Sequence, residues 1–400
     1  MTVYVPGMSG ESLAFYQALK ANPQAADGVR FVGVHFPGVN HSDYLGLHPR
    51  ARQRAYFMHP SLRSGLAEGR VELIPLDYPG IHRDLADNVE VDLAIAQLTA
   101  PDEHGVCSLG PCVDFQPALW RKAKRRVGHI NAALPRTRAS FEIHADSLDA
   151  TFDEEAPIPT YEDGVATQPS RQGALIAGLV RDGDTIECGI GKLPMAVLRA
   201  LPGHRRLRFY SGMVSDPLLQ LIDCGAVSGR GAVEVGVALG SPRLYSRLAA
   251  DETFLFRPVS ETHDLRRISQ IDAFCAINSA LQVDLSGQVN VDTINGRLIA
   301  GVGGLPAFAG AAHLARAGRS IITLPATSAD GRHSRIVAAL GRGSKVALPP
   351  YLADFFVTEY GVARVKGLSM SQRAHALISV AAPQFRDALA HEWEKLAAAL

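Results

Sequence analysis

The chain has 400 residues, 47% of them apolar and 20% charged, which excludes a low-complexity or disordered polypeptide and is enough for two folded cores. Its 40 Lys and Arg offset 40 Asp and Glu, so net charge steers it toward neither nucleic acid nor an anionic membrane. The opening MTVYVPGMSGESLAF lacks the basic and apolar regions of a signal peptide, and no apolar run reaches membrane-spanning length. Five cysteines without CxxC or Cys/His spacing read as reduced thiols of a cytoplasmic protein without a metal centre.

Residues 30–36 (RFVGVHF) predict a strand, followed by the loop GVNHSDYLGLHP, an Arg- and His-containing segment (51–68) and a strand at VELIPL. The near-continuous apolar run 91–99 (VDLAIAQLT) predicts a parallel strand covered on both faces, ending in the polar loop 100–110 (APDEHGVCSLG). A helix over DFQPALWRKAKRR follows, then a strand at RVGHIN. The basic residues Arg121, Lys122, Lys124, Arg125 and Arg126 read as a solvated helix face, or as a surface for an anionic cofactor. Residues 146–163 carry seven acids, two prolines and no Lys or Arg, and predict an interdomain connection. The expected division is an N-terminal α/β domain over 1–165 and a C-terminal one over 166–400.

Beyond residue 166 helices alternate with strands at TIECGIG, RLRFYSG, VEVGVALG, FLFRPV and FCAINSALQVDL. In Arg206–Gly225 a short strand, a tight Ser211-Gly212 corner and a helix capped by Asp216 are predicted. Such a corner lies at the carboxyl edge of a sheet, where open α/β folds bind ligands. Gly301-Val-Gly-Gly304 follows an apolar strand and leaves backbone amides free to face an anion. It is neither a Walker loop nor a full GxGxxG motif. The segments SIITLPATS, VTEYGVARVKG and two closing helices complete the α/β pattern, with no short repeat.

Several of these segments keep a common order from about residue 90 to 388: APDEHGVCSLG, GIGKLPMAVL, INSALQVDLSGQVN, GVGG, SRIV, VTEYGVARVKG and RAHALI. Together they resemble the acetyl-CoA hydrolase/transferase family, which includes acetate-, succinate- and 4-hydroxybutyrate-type CoA-transferases. The resemblance implies two related open parallel-sheet α/β domains with an acyl-CoA in the cleft between them, and a homodimer. It implies a coenzyme A thioester as substrate, with no permanently bound cofactor, and a small acceptor molecule as partner. It further implies a glutamate nucleophile that forms an anhydride and then a glutamyl-CoA thioester. Gly301, Gly303, Gly304 and Ser211 would hold the acyl-CoA. Gly303 and Gly304 would supply oxyanion amides, with Gln97 as a donor from the first domain.

The family pattern at the nucleophile reads histidine-serine-glutamate-methionine, a variable residue, then serine-aspartate. Here the stretch is Tyr210-Ser-Gly-Met-Val-Ser-Asp216, so Gly212 occupies the glutamate position. Leu305 likewise replaces a glutamine that follows the paired glycines. Three readings follow. In the first, the acyl group passes directly to water or another small nucleophile, or the acyl α-carbon reacts. A base is then required, with Glu103, His104, His41 and Asp216 as candidates, and Cys107 as a candidate nucleophile. In the second, an acid elsewhere, Glu187 or Glu359, restores an ordinary CoA-transferase. In the third, the chain binds CoA without turnover.

Overall fold

The computed structural model describes residues 1–161, 170–189, 191–249 and 251–398. Seven parallel strands build a first sheet: β1 (Thr2–Tyr4), β2 (Arg30–Val32), β3 (Arg52–Ala55), β4 (Val71–Leu73), β5 (Leu93–Leu98), β6 (Arg125–Ile130) and β7 (Ala150–Asp153). Their order is β4-β3-β2-β1-β5-β6-β7. The second sheet contains β8 (Thr185–Cys188), β9 (Arg208–Val214), β10 (Val233–Ala238), β11 (Phe254–Phe256), β12 (Phe274–Ser279), β13 (Arg319–Thr323), β14 (Phe355–Thr358) and β15 (Gly361–Arg364). It runs β11-β10-β9-β8-β12-β13-β14-β15, and only β14 and β15 pair antiparallel.

Both sheets are wound alike: the first strand of each lies between its second and fifth. The winding direction therefore reverses beside β1 and again beside β8, and such points open a crevice at the carboxyl ends of the strands. The kinship absent from the sequence as a repeat is thus present as a repeated topology. Two related open parallel-sheet units, as expected, form the protein.

Local differences have simple causes. The acidic stretch 146–163 is not wholly a connection, because 150–153 form edge strand β7, paired with 127–130. An edge strand tolerates charge on its open side, so acids there do not oppose pairing. Residues 162–163 and the expected 165/166 division lie outside the described residues. The helix over 114–126 is confined to Gln116–Trp120, since Arg125 already opens β6. The basic residues there serve local structure: Lys122 reaches the Leu85 and Ala86 carbonyls, and Lys124 pairs with Asp92 at 2.8 Å. The segment 51–68 contains β3. Among the described residues no helix is long and apolar enough to cross a membrane.

The two units are stitched along the cleft. Val113 and Ala238 amides donate to the Gly236 and Pro111 carbonyls, at 3.0 and 2.8 Å, and Ser140 and Phe256 donate to Phe256 and Arg138 at 2.9 and 2.8 Å. The 298–304 loop reaches back to the first unit. Met58 N donates to Ala300 O at 3.3 Å, and Tyr78 N donates to Gly303 O at 3.2 Å. At Gly301 a β-carbon would lie 1.9 Å from the Phe57 ring, a distance no structure sustains. Gly301 is therefore required by the approach of the two units. Gly301→Ala should push the loop off Phe57, at the roughly 1–3 kcal/mol typical of overpacking. Its melting temperature should fall, and the fall caused by Gly301→Ala should be smaller in a Phe57→Ala background than in the parent; a Gly301→Ala protein as stable as the parent would contradict this contact.

Candidate active site

A cavity of about 250 Å³ opens at the carboxyl ends of β8, β9 and β12, beside the second reversal point. Its walls include Glu187, Ser211, Gly212, Asn278 and His263 from the second unit, the glycine loop 301–304, and Phe36 and Tyr78 from the first unit. Tyr78 opens helix α1 (Tyr78–Asp87), whose N-cap Asp77 accepts from Gly80 N at 2.9 Å.

The expected Ser211-Gly212 corner is a continuous strand. β9 runs through Gly212 to Val214, and the chain turns at Ser215–Asp216 into helix α2 (Pro217–Asp223). Asp216 holds the N-cap position without a side-chain cap bond. Its carboxylate instead accepts from Ser241 N and the Ser241 hydroxyl, tying the end of β9 to the segment after β10. Asp216 is thus a structural acid.

Gly212 has no positive φ, so its backbone would accept any residue; what differs is space. A β-carbon on Gly212 would meet His263 Cε1 at 2.9 Å and Nε2 at 3.1 Å. One on Gly304 would meet His263 Nε2 at 2.6 Å and the Phe308 ring at 2.7 Å. The imidazole therefore fills the volume into which side chains at 212 and 304 would project. It is only 3% exposed, stacked on Tyr78 at 4.4 Å and against Phe308 at 4.6 Å between ring centroids. His263 follows helix α3 (Val259–Thr262), and its amide donates to Val259 O at 3.0 Å. Glu261 anchors this segment by ion pairs to Arg257 and Arg267, at 2.6 and 2.8 Å, and by a 2.8 Å bond from Ser140 of the first unit.

The Thr262 hydroxyl lies 2.9 Å from His263 Nδ1 and 3.4 Å from Pro258 O. Nε2 makes no hydrogen bond among the described residues. Burial holds the imidazolium pKa down to about 3, so the ring is neutral at physiological pH.

Glu187 lies on the same sheet face as Gly212. Register pairs Ile186 with Phe209, and continuing it sets Glu187 opposite Tyr210, two residues and about 6.6 Å deeper than Gly212. Its carboxyl accepts from Asn278 Nδ2 at 2.7 Å, and burial raises its pKa to about 8. At neutral pH it is a carboxylic acid.

The glycine loop borders the cavity. Gly303 has φ +63°, and neither its amide nor that of Gly304 donates to a described residue. Both stand at the start of helix α4 (Leu305–Leu314), whose dipole adds a partial positive charge. Gly301, Gly303, Gly304, Ser211 and Gly212 are thus gathered at one cavity. The Ser211 hydroxyl, however, is committed to Cys188 O and Met213 O, so only its backbone borders the space.

Other expected residues stand elsewhere. Gln97 is buried in the first sheet, where its amide oxygen accepts from Asn131 at 2.6 Å, and it does not reach the cavity. Glu103 and His104 lie beside each other on an exposed loop, with side chains 86% and 79% exposed. His41 lines a separate small cavity with His35 and His59. Cys107 is fully buried and its thiol is pushed up by that burial, the reverse of an activated nucleophile. Glu359 accepts from Ala326 N at 3.0 Å and belongs to the scaffold. His263 escaped the sequence reading because ETHDL carries no motif. Only the fold brings it against Gly212.

Residues 2–162 match the N-terminal domain of acetyl-CoA hydrolase/transferase, and residues 240–393 match its C-terminal domain. The chain belongs to the acetyl-CoA hydrolase/transferase family. It is similar to the 4-hydroxybutyrate coenzyme A transferase of Clostridium kluyveri, with 30% identity over 96% of this chain and 92% of that one. It is 34% identical to the butyryl-CoA:acetate CoA-transferase of Anaerostipes caccae over 83% of this chain and 78% of that one. The crystal structure of RipA from Yersinia pestis superposes with a TM-score of 0.89 at 27% identity, covering 99% and 94% of the two chains. This acetyl-CoA hydrolase/transferase is accordingly an acyl-CoA-processing enzyme that carries out acyl transfer.

The raised Glu187 pKa has a consequence for stability. A carboxyl protonated in the fold and ionised when unfolded contributes fully below about pH 4, and that contribution is lost as pH rises toward 8. Glu187→Gln keeps an acceptor for Asn278 without the titration. Its melting temperature, relative to the parent, should rise by at least ~2 °C between pH 5 and pH 8.5; a pH-independent difference would show that Glu187 is not buried as an acid.

Proposed function

We propose that the protein takes a short-chain acyl-CoA and passes its acyl group directly to water or another small nucleophile, without a glutamyl-CoA intermediate. Reaction at the acyl α-carbon is a variant using the same oxyanion amides. One observation carries the reading: position 212 has no side chain, and the space a carboxylate there would need is filled by His263. Around it the glycine loop, the helix N-terminus and the apolar walls remain fit to hold a thioester carbonyl. The substrate is the coenzyme A thioester itself, with no resident cofactor. A homodimeric, cytoplasmic protein of two such domains goes with this reading.

A second reading is favoured by Glu187, the cavity's own carboxyl. The Clostridium and Anaerostipes relatives are named as CoA-transferases, the latter with acetate. Glu187 would then stand in for the absent nucleophile. Against it, a carboxyl that is protonated at neutral pH and lies deeper than Gly212 is a weak nucleophile.

Mass spectrometry of an acyl-CoA panel incubated in ¹⁸O-water, with and without acetate or succinate, separates the readings. Free CoA and ¹⁸O-labelled acid without an acceptor are expected. New acyl-CoA formed only with a carboxylate acceptor, and lost in Glu187→Gln, would sink direct transfer in favour of the second reading. CoA binding without turnover in either arm would indicate a binding protein.

Restoring the acid tests the same space. Gly212→Glu alone should stay inactive as a CoA-transferase, because its β-carbon meets the His263 ring. Gly212→Glu with His263→Ala should gain carboxylate-dependent CoA exchange. Equal exchange by the single and double variants would show that the imidazole does not block the nucleophile's position.

A further inference from the structure

We propose that His263 is the catalytic base of this enzyme, acting through Nε2 from the space that a side chain at position 212 would occupy. The inference rests on the direct-transfer reading above and names the group that performs it.

Three geometric facts converge on this atom. First, Gly212 and Gly304 both lack the side chain that would cover it; β-carbons there would lie 3.1 and 2.6 Å from Nε2. The two glycines make room for an imidazole edge at the end of β9. Second, Thr262 engages Nδ1 at 2.9 Å while no described group bonds to Nε2, and the ring lines the cavity. In the tautomer with its proton on Nδ1, the ring offers the Nε2 lone pair to a proton of the bound nucleophile. Third, Nε2 stands beside Gly304, next to the unpaired amides that suit an oxyanion. Base and oxyanion donors thus flank one point where a thioester carbonyl fits.

The step balances as follows. Water, held by Nε2, attacks the thioester carbonyl carbon; its proton passes to Nε2 as the C–O bond forms, and the carbonyl electron pair moves onto oxygen facing Gly303 and Gly304. The tetrahedral intermediate re-forms the carbonyl and breaks the C–S bond. The departing thiolate takes the proton from Nε2, giving carboxylic acid, CoA thiol and the original imidazole. Tyr78 stacks on one face of the ring and the tilted Phe308 packs against it, which fixes its orientation. Burial disfavours a lasting imidazolium, and the oxyanion forming beside it offsets that cost while the proton is held.

The test measures CoA release from the best acyl-CoA of the panel, without an acceptor, for the parent, His263→Ala and His263→Phe. Phenylalanine retains the ring stack and loses both nitrogens, so it separates base loss from collapse of the wall. Both variants should lose at least ~100-fold in kcat, the usual scale of a general base, with KM within a few-fold of the parent. Added imidazole should restore turnover to His263→Ala and not to His263→Phe, whose ring occupies the gap. If the parent releases CoA and either variant keeps kcat within about threefold, His263 is not the base and direct transfer itself stands. If the parent releases no CoA without an acceptor and forms new acyl-CoA only with a carboxylate, direct transfer fails and the proposed water activation with it.

Discussion

A buried imidazole held between two glycines is the constraint on which the site depends. Neither Gly212 nor Gly304 can carry a β-carbon while His263 keeps its place, because the separations of 2.9 and 2.6 Å are below any ordinary contact. Everything nearby serves that arrangement. Tyr78 of the first unit covers one ring face, Phe308 from α4 packs against the ring as well, and Thr262 shares a hydrogen bond with Nδ1. Glu261, paired with Arg257 and Arg267 and bonded by Ser140, fixes the segment that delivers the ring. The cavity is therefore walled by both units across the cleft.

The same cavity holds two titratable groups in their uncharged forms. Glu187 is an acid at neutral pH and His263 a neutral base, each displaced from its ordinary range chiefly by burial. Environments that push pKa values in this way are characteristic of sites that move protons. A CoA-transferase needs an ionised carboxylate close to the thioester. This cavity holds its carboxyl deep and protonated, and an unprotonated nitrogen near the mouth of the glycine loop.

Much of this was legible in the residues. The apolar run at 91–99 forms β5, whose residues 94–98 are buried, and the closely spaced glycines lead into α4 at the cavity. The family resemblance also sets Gly212 where the pattern carries a glutamate. The base did not. Glu103, His104 and His41 were attractive because they lie in polar loops at strand ends, but those loops belong to the first sheet and open elsewhere. Gln97 was drawn inward by its neighbours Asn131 and Glu11 rather than toward the cleft. For Gln97, hydrogen-bond partners more than thirty residues away decided the outcome.

By itself the sequence determined the α/β class, the family, the parallel strands and the absence of a carboxylate at 212, because hydrophobic period, turn residues and ordered motifs are local properties of the chain. Only the tertiary structure decided that the two sheets share one winding order, that Asp216 braces Ser241 instead of capping α2, and that His263 fills the vacated space. Those facts depend on which strand lies beside which and on how closely backbones approach. Fifty-one residues separate Gly212 from His263, and it is the packing of β9 against α3 and α4 that brings them within van der Waals reach.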